Sequence, residues 1–199
     1  VSGTTNTSAV SPITAVCDRT YFPAYRHSGR RETSEIKWVI LHDEEAPTAE
    51  SAARYFKTSS AGGSAHLCVD DTKCFRCLPN DAIPWGAASA FGANTAGFHI
   101  EQAGYARWTG AVWRGKHMRT LNRAAYKTAL HCKLFKIPVQ FVTADHLPYK
   151  KGITTHAEVS KASRRLDPAH AWQYTHHDPG FGWPRRLFMQ RVNAYYAEL

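Results

Sequence analysis

From Ile36 to His42 the chain reads Ile-Lys-Trp-Val-Ile-Leu-His, apolar at nearly every position. A half-wet strand would alternate, so this run predicts a strand covered on both faces, as in layered α/β folds. It ends on a histidine. Thr48 suits a helix cap, and Ala49, Ala52, Ala53 and Phe56 recur at helical spacing through about Lys57, before Gly62-Gly63. Across 64–78 two short strands flank Asp70-Asp71-Thr72-Lys73, whose turn chemistry predicts a hairpin. Residues 97–102 predict a further strand, with Phe98 and Ile100 on one face and His99 and Glu101 on the other. Glu101 is thereby aimed away from the apolar layer. Leu121, Ala125, Thr128, Cys132 and Phe135 mark a helix over 119–136 that Pro138 stops, and Phe188, Val192, Tyr195 and Leu199 mark another after Pro184. Strands alternating with helices predict an α/β fold, a mixed central β-sheet flanked by helices on both faces.

A length of 199 residues with 43% apolar content gives one domain with a real core. Residues 34–199 are expected to form it, and residues 1–33 an N-terminal extension packed on it or leading into it. Val1 to Val16 are Ser/Thr-rich, with neither the basic nor the long apolar stretch of a secretory signal. No apolar run approaches the roughly 20 residues of a membrane span. With 12% aromatics and no heptad or short repeat, disorder and coiled coil are excluded. Twenty-five basic against 16 acidic side chains give +9, which favours anionic partners: nucleic acid, acidic wall polymers or membrane surfaces. No helix-turn-helix, RNA-recognition or zinc-finger pattern accompanies the charge, so nucleic acid is not expected as a partner.

Eleven histidines are too many for their number to select a site, so position must do it. His42 ends the buried strand, His156 lies in Gly152-Ile-Thr-Thr-His156-Ala-Glu, and Asp178 opens Asp178-Pro-Gly-Phe-Gly-Trp-Pro184. Two imidazoles and a carboxylate are a common protein set for catalytic zinc, leaving a fourth place for water. Five segments then occur in a telling order: Trp38-Val-Ile-Leu-His42, Ser64-Ala-His66-Leu, Pro84-Trp85-Gly86, Asn94-Thr-Ala-Gly-Phe-His-Ile-Glu101, and Thr155-His156 followed by His176-His-Asp178-Pro-Gly. Together they resemble the zinc-dependent N-acetylmuramoyl-L-alanine amidases of the type 2 class, relatives of the peptidoglycan recognition proteins. The joint match covers most of the chain and is far more specific than any one piece.

The resemblance implies a catalytic domain over 34–199, of endolysin or autolysin type. It implies a peptidoglycan hydrolase that uses one Zn2+ to cut the amide between N-acetylmuramic acid and the L-alanine of the stem peptide. His42, His156 and Asp178 are then the metal ligands, Glu101 the general base, and His176 the donor to the oxyanion, with His177 as its alternative. His66, Trp85 and Asn94 are expected to line or brace the substrate groove. The enzyme would act on the cell wall, either released at phage-driven lysis or exported. No obligatory protein partner is evident. A non-catalytic peptidoglycan-binding receptor of the same fold is the alternative, and the full ligand set with an acid/base candidate favours the enzyme.

Three departures from the family pattern matter. Ala65 stands where some relatives have a catalytic tyrosine, so proton handling falls to Glu101. The family's Trp-His-Ala-Gly reads Trp85-Gly86-Ala-Ala, so the substrate contact expected there is not carried over. Asp178 follows His156 by 22 positions, about twice the usual interval, and the insertion with Arg164, Arg165 and His170 is expected to loop beside the site. Cys68, Cys74 and Cys77 with His66 suggest a second, structural zinc. A two-residue turn at Asp71-Thr72 puts Cys74 on the opposite face from the other three, so buried thiols or one disulfide are expected instead.

Overall fold

The computed structural model describes residues 23–199. The Ser/Thr-rich opening and most of the expected extension lie outside the described residues. Its last part lies against the domain: β1 (His27–Arg30) pairs antiparallel with β5 (Ala82–Pro84), and Arg31 is buried.

The central sheet contains β2 (Trp38–Asp43), β3 (Leu67–Val69), β4 (Cys74–Arg76), β6 (Gly97–Gln102) and β7 (Gly152–Thr155). Its order is β4-β3-β6-β2-β7, with β4 antiparallel to β3 and the other neighbours parallel. One face, carrying Val39, Leu41, Phe98 and Ile100, packs beneath α4 (Met118–Leu134) and α6 (Arg185–Glu198) in the largest apolar cluster, which also holds Trp113 of α3 (Gly110–Lys116). The other face, carrying Trp38 and Ile40, meets Ala93 of α2 (Ala93–Ala96) and Val159 and Ala162 of α5 (His156–Leu166). On that same side, α1 (Ala49–Phe56) covers Cys68, Phe75 and Cys77. The mixed sheet flanked by helices on both faces is therefore as expected.

Strand parity fixes which face receives the chemistry. In β6, Phe98 and Ile100 enter the α4/α6 layer, which sends His99 and Glu101 to the opposite side. A one-residue slip would push His42, His99 and Glu101 into the apolar layer. It would also expose Leu41 and Ile100, at about 1.5–3 kcal/mol for each large apolar side chain. Register is thus fixed by the core, and the site inherits it.

The predicted helices form within a residue or two of their expected bounds. Thr48 caps α1, its side chain accepting from the Ser51 N–H at 3.2 Å. In α6 the stripe stops at Tyr195, for Leu199 lies past the helix end and is 41% exposed. The hairpin turns as expected: Asp70 N–H donates to the Lys73 carbonyl at 3.0 Å, and Asp70 Oδ1 accepts from the Thr72 and Lys73 N–H groups. Cys74 joins the large apolar cluster while Cys68 and Cys77 join the α1 cluster, their sulfurs 3.6 Å apart as free buried thiols. The insertion after His156 departs from expectation. Its first half is α5, capped by Thr155, whose side chain accepts from the Glu158 N–H at 3.3 Å, and a 3-10 turn over Pro168–Gln173 follows. Arg164 and Arg165 therefore sit in the last turn of a helix, and His170 bonds Asp167 in the 3-10 turn.

Candidate active site

The candidate ligands arrive from three parts of the fold. His42 lies near the C-terminal end of β2, where parallel register sets it opposite Glu101 of β6. On the other side of β2, Leu41 pairs with Thr155 of β7, so His156, the first residue of α5, emerges beside His42. Asp178 reaches them from the far end of the insertion. Its carbonyl accepts from the Ala157 N–H at 2.9 Å, pinning the Asp-Pro-Gly turn to the start of α5. Gly180 secures the other side: at φ +84° its Cβ position would fall 2.0 Å from the Ala106 carbonyl oxygen, so only glycine fits.

Both carboxylate oxygens of Asp178 are engaged, Oδ2 at 3.0 Å from His42 Nδ1 and Oδ1 at 3.1 Å from His156 Nδ1. The three donors lie within 4.8 Å of one another. Burial lowers His156 to about 4, although Asp178 opposes this, so the ring is neutral and keeps a lone pair to donate. For Asp178 burial alone would raise the carboxyl, but His156, then His176 and His42, hold it well below the ordinary range. Two imidazoles and an ionised carboxylate facing an open cavity suit zinc. The geometry of the donors therefore fits such an ion.

Glu101 is buried beside this cluster with Oε2 unpartnered. Burial first, then Asp178 and Asp43, push its carboxyl well above the usual range. Asp43 is itself pushed up to about 8, by burial and by Asp178 and Glu45. A carboxylate that is reluctant to stay charged is a strong proton acceptor, as a general base requires. His176 stacks on His156 with ring centroids 4.1 Å apart and holds Nδ1 3.5 Å from Asp178 Oδ1. Its bond to Asp178 raises its pKa, more than partial burial lowers it. His177 is anchored through its carbonyl, which accepts from the Gly180 N–H at 2.8 Å.

The expected groove residues separate into two groups. Trp85 and Asn94 line a cavity of about 850 Å³ together with His42, Glu101, His156 and Asp178. Asn94 also braces it, since its side-chain oxygen accepts from the Gly86 and Ala87 N–H groups. His66 has no exposed surface and lies beneath β6, where Nδ1 accepts from the His99 N–H at 3.0 Å. It is a bracing residue. Sequence reasoning missed Gln102, which donates to the His42 carbonyl at 3.0 Å and accepts from Trp183 Nε1 at 3.2 Å. It also missed His99, although strand alternation already put that ring on the Glu101 side.

Residues 32–170 match the family described as N-acetylmuramoyl-L-alanine amidase. The match ends before Asp178, so the third donor rests on the geometry above. Several solved structures are similar in fold. The hydrolase AmiA of Staphylococcus aureus, in complex with its ligand, aligns at TM-score 0.62 and 18% identity, over 86% of this chain and 78% of that one. PlyL aligns at 0.56 and 18% identity over 82% and 87%, and the catalytic domain of XlyA at 0.55 and 15% over 88% and 95%. No curated protein sequence matches the chain. With well over half its length inside the family match and the fold shared along most of the rest, the chain belongs to the N-acetylmuramoyl-L-alanine amidases of the type 2 class.

Proposed function

We propose that this chain hydrolyses the amide between N-acetylmuramic acid and the first L-alanine of the peptidoglycan stem, with one zinc ion held by His42, His156 and Asp178. The convergence of those three donors within 4.8 Å, beside a buried carboxyl and open to a cavity, carries the reading. Amides are poor electrophiles, and zinc in this site supplies a Lewis acid that polarises the carbonyl and acidifies water. Glu101 takes the proton from the attacking water and passes it to the departing alanine nitrogen. His176, whose pKa is raised, donates a charge-assisted hydrogen bond to the oxyanion. Trp85, 42% exposed at the cavity rim, offers an aromatic face to the substrate. A receptor of the same fold would have no use for a proton acceptor next to the donors. The wall is the place of action, and the +9 charge draws the chain to its anionic polymers, less so as salt is added.

Digestion of purified peptidoglycan tests this. Mass spectrometry is expected to find free stem peptides beginning with L-alanine and an intact glycan, with activity abolished by a chelator and restored by zinc. Released reducing ends, or cuts between stem residues, would assign a different reaction.

A further inference from the structure

His99 is fully buried, yet it uses every polar atom it has. Its Nδ1 lies 3.0 Å from His42 Nε2, and its Nε2 lies 3.4 Å from the Ala93 carbonyl oxygen. Its backbone is clamped as well, the N–H donating to His66 Nδ1 and the carbonyl accepting from the His66 N–H at 3.1 Å. Two glycines leave the room that the ring occupies. A Cβ on Gly86 would stand 2.3 Å from His99 Nδ1, and one on Gly97 would stand 2.7 Å from His99 Nε2. A side chain at Gly86 would therefore enter the space that the His99 ring fills from β6.

The hydrogen-bond inventory fixes the protons. A backbone carbonyl only accepts, so the His99 hydrogen sits on Nε2 and Nδ1 is left as an acceptor. His42 must then carry its hydrogen on Nε2, so its Nδ1 and Asp178 Oδ2, 3.0 Å apart, are two lone-pair donors turned to a shared cation and not a hydrogen-bonded pair. By contrast His156 Nε2 is buried without a partner. We propose that His99 is a positioning residue for the metal, holding His42 in the tautomer and orientation that present Nδ1 to zinc, in a slot kept open by Gly86 and Gly97. The inference rests on the proposed zinc site and adds the residue that aligns one of its ligands. An outer partner of this kind typically contributes 10–100-fold in metal affinity.

Zinc affinity, measured by competition with a chromophoric chelator, tests the proposal independently of turnover. His99→Leu, which removes the acceptor, is expected to weaken zinc by about 10–100-fold, while His99→Gln, which can still accept, recovers part of the loss. Gly86→Ala is expected to weaken zinc similarly, by displacing an unaltered ring. Wild-type affinity in a folded His99→Leu would overturn the proposal and leave the zinc reading standing; a wild-type chain that binds no zinc would overturn both. Nitrogen-15 imidazole spectra of the zinc-loaded wild-type chain need no variant to fold. They are expected to show hydrogen on Nε2 of both His42 and His99, and a proton on His99 Nδ1 would refute the assignment.

Discussion

Glu101 and His42 occupy opposite positions on neighbouring parallel strands, yet burial acts on them differently. The His42 ring is held at Nε2 by His99 and turns Nδ1 to Asp178 in the donor cluster, whereas Glu101 leaves one oxygen without a partner. A metal ligand needs fixed direction, and a base needs an unsatisfied lone pair. Glu101→Gln keeps the shape and removes the basicity, so the fold and zinc content are expected to persist while turnover drops about 100-fold or more. Metal analysis beside initial rates on peptidoglycan checks both halves; near-normal turnover would hand the role of base to another group. Strand alternation made Glu101 legible in the sequence. His99 is on the same face by the same rule, but its role depends on two glycines distant in sequence that leave space around it, and no local pattern reports that.

At the scale of elements, the site is assembled where β2, β6 and β7 end and α5 begins. Parallel strands bring their carboxyl ends to one edge, which is why His42, Glu101 and His156 meet although the last follows the first by 114 positions. β2 and β6 were readable because the core dictates their apolar positions, whereas the four residues of β7 gave no such signal. Nor was α5 readable, for its buried stripe of Val159, Ala162 and Ser163 is short and mostly small, and Arg164 and Arg165 give it the look of a loop. Yet α5 is what receives Asp178, through the bond from the Ala157 N–H. The turn that delivers Asp178 depends in turn on Gly180. Gly180→Ala is expected to lose zinc affinity by at least tenfold together with some stability, because a methyl group would strike the Ala106 backbone and the left-handed φ resists a side chain. Chelator competition and thermal unfolding of the same sample measure the two effects. Intact zinc binding in that variant would mean that the turn can shift without carrying Asp178 with it.

Across the whole molecule, the metal-free chain holds two buried sets of titratable groups that respond to pH in opposite senses. His66 and His99 are held well below the ordinary histidine range by burial and neighbouring cations or rings, and burial lowers His131 to about 3. These rings stay neutral in the fold but protonate in the unfolded chain near 6.5, so their contribution is complete above that pH and is lost as the pH falls. Asp43, pushed up to about 8, and Glu101 act in the reverse direction: folded, they keep protons that the unfolded chain releases near 4, so stability falls as the pH rises towards 8. His131 isolates the first effect, because it lies away from the site, stacked on Phe98 at 4.0 Å with Nδ1 against the Lys127 carbonyl. His131→Phe keeps a ring in that stack and removes the titration. Relative to the variant, the wild-type chain is expected to lose about 1.4 kcal/mol per pH unit once the pH is well below 6.5, the slope of one proton taken up on unfolding. Urea denaturation of both proteins without metal, at intervals from pH 7.5 to 4.5, reads that difference directly, since the carboxylates common to both cancel. Parallel curves would show that His131 already carries its proton in the folded chain.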